Sequence, residues 1–184
     1  MQNLQFAQPW WVNFLIAVPI VSFFAFRRGL AITRMQLLIS GVFGIAFGFL
    51  EAAVVVYLRA ATGLVPQPFA VDQQLQFANN LSRQLLSIEA CREVATITML
   101  VCVSLLAVKK TRERVALFLW CFAFWDLVYY LGLWFWVRWP MSLTSPDVFF
   151  LIPTPWYGQV WFAYLVSGLT IVVILLARRP TAAA

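Results

Sequence analysis

The sequence contains no histidine. That absence removes histidine-ligated haem, a His-based catalytic triad and most copper sites from consideration. Cysteine is scarce: Cys91, Cys102 and Cys121 are the only three, they lie inside apolar runs, and they form no CxxC pair. Neither a disulfide framework nor a zinc site is expected from them. Charge is scarce as well. Charged residues make up 11% of the chain and hydrophobic residues 63%, where a soluble globular domain is roughly a quarter charged and about half apolar. Such a chain is suited to lipid as its solvent. Internal repeats and low-complexity tracts are also missing.

What is present is a succession of apolar runs. The runs at Trp10–Phe26, Gln36–Leu58, Glu89–Val108, Val115–Val137 and Trp156–Ala177 are each near the ~20 residues that a bilayer core requires. The expected fold class is therefore all-α integral membrane, a bundle of about five transmembrane helices in one domain covering residues 1–184. The first run has no basic n-region and no evident cleavage site, so it reads as a retained helix, bent at Pro19, and not as a signal peptide. Seventeen Phe and nine Trp fit the same class, with Trp134, Trp136 and Trp139 expected as an interfacial belt at the end of the fourth span. A groove for lipid or pigment is the second reading of those tryptophans.

The net charge of +6 does not indicate nucleic acid, because the basic residues sit mainly in short clusters between spans. Arg27, Arg28 and Arg34 lie between spans one and two. Lys109, Lys110, Arg112 and Arg114 lie between three and four, and Arg178 and Arg179 follow span five. These are nine of the thirteen basic residues, and five alternating spans place all nine on one side. The positive-inside rule makes that side the cytoplasm, with the N-terminus outside and the C-terminus inside. The cluster from Lys109 to Arg114 could also hold anionic lipid. Two longer segments then fall on the outer side. In the first, Leu75, Ala78, Leu81, Leu85 and Ile88 recur at helical spacing after a capping Asp72, which predicts an amphipathic helix over 72–88 ahead of span three. The second, residues 138–155, is too apolar for a free loop and too broken by Pro153 and Pro155 for a span. It is expected to lie in the interface or dip into the protein.

Ionisable residues within spans are the informative ones, since each costs about 2.5–3.5 kcal/mol at a helix centre. They are Glu51 in span two, Glu89, Arg92 and Glu93 in span three, and Asp126 in span four, followed by Tyr129 and Tyr130. At about 1.5 Å per residue, Glu51, Glu93 and Tyr130 each lie roughly 22 Å from the basic end of their spans, with Arg92 about 24 Å up and Asp126 about one turn deeper. Three helices therefore share one polar layer. Glu89, Arg92, Glu93 and Thr96 occupy one helix face by their i, i+3, i+4, i+7 spacing. In span two, Ser40, Gly44 and Gly48 form a small-xxx-small stripe that admits a close neighbour, and Glu51 extends the same face. Spans two, three and four are expected to meet there. Four carboxyls face one guanidinium in this cluster. Full ionisation would leave about three excess negative charges in a low dielectric, so an acid keeps its proton, a cation binds, or Glu89 reaches headgroup water. The Ser40-Gly41 and Ser167-Gly168 pairs read as packing residues, because no histidine can activate a serine.

Four strings carry a resemblance. Phe49–Arg59 (FLEAAVVVYLR), Glu89–Thr96 (EACREVAT), Phe124–Tyr130 (FWDLVYY) and Phe150–Trp156 (FLIPTPW) resemble a family of small, functionally uncharacterised multi-spanning proteins of bacterial inner membranes. The resemblance implies that location and no substrate, cofactor or catalytic residue.

Three functional readings follow, in order. The first is a cation or proton site in transport or sensing, with Glu51, Glu93 and Asp126 as ligands, Arg92 orienting them, Tyr130 adding a hydroxyl and Glu89 at the outer edge. The second is an accessory subunit of a larger membrane complex, in which the cluster is structural and the partners are lipids and other subunits. The third is a membrane enzyme using the acids for lipid-linked or metal-assisted chemistry.

Overall fold

The computed structural model describes residues 6–61 and 83–178. A 3-10 helix, Trp10–Ile16, runs directly into α1, Ala17–Phe26. Then come α2, Arg34–Ala61, α3, Arg83–Ala107, and α4, Thr111–Val137. A two-stranded antiparallel hairpin follows, β1 Pro146–Phe150 and β2 Trp156–Gln159, and leads into α5, Val160–Ala177. Helices α2, α3, α4 and α5 are long and apolar enough to cross a membrane, and the apolar helix Trp10–Phe26 is shorter. Large apolar side chains such as Ile39, Leu106, Phe135 and Leu176 stand exposed on the outside of the bundle.

The spans agree with the apolar runs to within about a turn at each end, except that α3 begins at Arg83 and not Glu89, with two amendments. The chain is not wholly α-helical, because residues 146–159 form the hairpin. Pro153 and Pro155 supply no N–H and exclude a helix there, while Val148, Phe149, Phe150, Trp156 and Tyr157 are residues that pack well on a pleated surface. The fifth helix consequently begins at Val160 and not at Trp156. Its first backbone N–H groups would be orphaned, and the loop before the hairpin supplies their acceptors: Val160 N–H donates to Ser145 O at 3.0 Å and Trp161 N–H to Leu143 O at 2.8 Å. Pro19 falls in the first turn of α1, where its missing N–H breaks no bond, and the change at this point is from 3-10 to α geometry. Of the amphipathic helix expected over 72–88, residues 72–82 lie outside the described residues, and 83–88 are helical and continuous with α3.

The most extensive packing is between α2 and α4, and the small-residue stripe explains it. A Cβ on Gly44 would sit 2.7 Å from Cys121 O, and one on Gly48 would sit 2.6 Å from Trp125 O. Backbone therefore meets backbone. Ser40 is buried in the same seam, its hydroxyl donating to Gln36 O at 2.6 Å, while Cys121 Sγ donates to Ser40 O at 3.5 Å. From α4, Gly132 faces Ala52 of α2 at a similarly short range.

The helices alternate in direction, so the bundle has two ends. At one, Gln36 at the start of α2 donates to Ala107 O at the end of α3, Arg112 at the start of α4 donates to Ala25 O near the end of α1, and Leu30 N–H donates to Ala177 O at the end of α5. Here the core is apolar, built on Phe26, Leu37, Leu117, Trp120 and Ile174. The other end holds the C-terminus of α2, the N-terminus of α5 and the hairpin. Gln8 joins the hairpin there through paired backbone bonds with Tyr157, each 2.7 Å.

Candidate functional site

At the hairpin end, a cavity of about 130 Å³ lies between α2, α3, α4, α5 and the hairpin, and every ionisable residue singled out within the spans lines it. The geometry divides them into three polar groups.

The first group joins α2 to α3. Glu51, a turn beyond the glycine stripe and 4% exposed, is ion-paired through Oε2 to Arg92 Nη1. Its other oxygen accepts a 2.8 Å bond from Thr96 Oγ1. Arg92 turns back along its own helix face to Glu89, with Nη2 to Oε2 at 2.8 Å and Nε to the two oxygens at 3.1 and 3.2 Å. One planar guanidinium thus holds two acids, as its forked donors allow. The i, i+3, i+4, i+7 face of α3 behaves as its spacing requires.

The second group joins α3 to the hairpin. Both oxygens of Glu93 accept the Leu151 N–H at 2.9 Å. Leu151 is the first residue past β1, so its N–H has no ladder partner, and the carboxylate fixes the hairpin tip over the cavity.

The third group lies on α4, and here the expectation that spans two, three and four enclose the cluster needs correcting. Asp126 does not meet Arg92. It is bonded by Ser167 Oγ of α5 at 2.7 Å, so Ser167, expected to serve only in packing, is a polar partner. Tyr130 does not serve Glu51 or Glu93 either. It is almost fully buried and donates from its hydroxyl to Asp147 Oδ2 of β1 at 2.8 Å. Asp126 and Tyr130, four residues apart, share a face of α4, but about 6 Å of rise along the axis separates them, so they reach different neighbours. The cavity is therefore enclosed by α5 and the hairpin as well.

Two charged residues of the lining were not identified from sequence. Asp147 is 3% exposed. Burial pushes its carboxyl up from the ordinary value of 3.8 to about 6, against the downward pull of the Arg59 charge and of bonds from Tyr130 and from the Val148 N–H. Arg59 is 4% exposed and stacks its guanidinium over Trp139, 5.3 Å from the ring centroid. Its signal was available: Glu51, Val55 and Arg59 are spaced i, i+4, i+8 on one face of α2. The tryptophan belt is corrected by the same contact. Trp134 and Trp136 are exposed, whereas Trp139 is buried under Arg59.

The lining holds five carboxyls, Glu51, Glu89, Glu93, Asp126 and Asp147, against two guanidinium groups, Arg59 and Arg92. Adding one acid and one base leaves the excess of three negative charges that the sequence predicts. Burying an unbalanced charge costs several kcal/mol, so the lining favours whatever brings positive charge, a proton or another cation, into the cavity. The donors are spread around the wall. Among the described residues, no three His, Cys, Asp or Glu side chains are grouped closely enough to hold one metal ion. Compared with known protein families, curated proteins and solved structures, the chain matches none.

Proposed function

We propose that this chain is a polytopic protein of a bacterial inner membrane whose cavity, in the outer half of the bilayer, takes up a cation or proton in transport or sensing. One observation carries the reading: a cavity of about 130 Å³ lined by five buried or half-buried carboxyls and only two guanidinium groups. Intramembrane ionisable residues are rare because they are costly, and they mark ion and proton pathways. The proposed orientation rests on the opposite end of the bundle, where Arg27, Arg28, Lys109 and Lys110 are exposed as cytoplasmic flanks should be. The N-terminus is then outside, the C-terminus cytoplasmic, and the hairpin outward-facing.

Purified protein in nanodiscs, titrated with cations at constant ionic strength, tests the reading. A saturable rise in Tm, or proton uptake and release on titration, should be seen with the wild type and be weakened in Asp126→Asn. A folded protein that answers to neither cations nor protons would refute it. Fusion of a cytoplasm-active reporter to the C-terminus tests the orientation separately.

A further inference from the structure

The cavity has a second property besides its charge. Its wall on α4 and the hairpin is aromatic: Trp125 stacks beside Tyr129 at 6.3 Å and against Phe150 at 6.2 Å, and Phe150 packs on Trp156 at 5.2 Å. All four line the cavity. Aromatic faces attract cations through the ring quadrupole, best where water is excluded. The acids and the aromatic wall thus bound one space.

The spread of the acids adds a constraint. A bare inorganic cation would need its carboxylate ligands to converge, and among the described residues no three of them are grouped closely enough to hold one.

Size narrows the class further. A cavity of about 150 Å³ is known to hold one benzene, so about 130 Å³ suits a molecule of a few heavy atoms. Resting on the cation reading above, we infer that the cavity binds a small organic ammonium ion. The ammonium sits between the carboxyls and the aromatic faces. Free amines and the ammonium headgroup of a phospholipid share this chemistry.

The test uses the full chain in nanodiscs of phosphatidylglycerol alone, with ethanolamine and choline as probes. Dimethylbutanol, which has carbon in place of choline's nitrogen, is the neutral control, and sodium and potassium chloride are the inorganic ones. Tm and tryptophan emission report binding. Ethanolamine or choline should bind saturably and the neutral control should not. Trp125→Leu and Asp126→Asn should each weaken binding about tenfold, while Trp125→Phe, which keeps an aromatic face, should weaken it less. If phosphatidylethanolamine in the disc abolishes the response to free amines, the headgroup is the occupant and the assignment stands. Equal binding of choline and dimethylbutanol would overturn it. A response to sodium or potassium with none to the amines would overturn it too, while leaving the cation site intact. No response to any cation or to protons by folded protein would overturn both.

Discussion

The two ends of this bundle use the same helices for opposite purposes. At the end with the α1–α2 and α3–α4 connections, Arg27, Arg28, Lys109 and Lys110 are exposed and the space between the helices is filled by Phe26, Leu37, Leu117, Trp120 and Ile174. Polar side chains there close off helix termini: Gln36 caps Ala107 O and Arg114 caps Val108 O at 2.9 Å. At the hairpin end the arrangement is inverted. Five acids and two arginines turn inward around a cavity, while Leu131, Trp134 and Phe135 of α4 face outward. Solvated charges at a helix end are worth little to stability and much to orientation. Buried charges are the reverse, because each depends on a partner that the tertiary structure must deliver.

The sharpest way to break this contrast is Arg92→Met, which strips Glu51 and Glu89 of their shared partner. Removing one side of a buried pair costs about 3–5 kcal/mol, so folded yield and Tm should fall steeply, and adding Glu51→Gln should recover part of the loss. Full retention of Tm in the single variant would mean that the hairpin end tolerates unpaired charge as the basic end does. Next comes the seam common to both ends. Gly48→Ala sets a methyl against Trp125 O, and overpacking of this kind costs about 1–3 kcal/mol. Gly168→Ala, with nothing within 4 Å of its added Cβ, should leave Tm unchanged, and similar behaviour of the two variants would sink the close-packing account.

Tyr130→Phe should cost less, about 1–2 kcal/mol, as the loss of one buried hydrogen bond to Asp147. Asp147 also predicts a pH dependence. A carboxyl whose folded-state pKa is raised stabilises the fold below its ordinary value, and that stability is lost as pH rises through the folded pKa. Tm should therefore decline between pH 3.8 and about 6, and Asp147→Asn should flatten part of that slope in thermal melts. The smallest effect is expected at the other end. Lys109→Gln with Lys110→Gln should leave Tm unchanged while increasing the fraction of inverted topology in a reporter assay.

Much of the site could be read along the chain because helix geometry is local. The face carrying Glu89, Arg92, Glu93 and Thr96, and the stripe carrying Ser40, Gly44 and Gly48, follow from periodicity alone. So does the common depth of Glu51 and Arg92, which proved to be an ion pair. Partners reached across a connection or around a helix could not be read this way. Asp126 found Ser167 and Tyr130 found Asp147 because α5 and the hairpin are brought against α4 by packing along the whole bundle, which helix periodicity does not encode. The hairpin was legible only as a segment unfit for either loop or span.

By itself, then, the sequence determined the apolar helices, the basic flanks and the excess of acid over base in one layer, since hydrophobic runs and charge counts need no knowledge of neighbours. Only the tertiary structure decided that the excess surrounds an aromatic-walled cavity bounded on one side by a hairpin. Which side chains share a space depends on how rigid helices rotate and stack, and that is settled by the whole packed bundle.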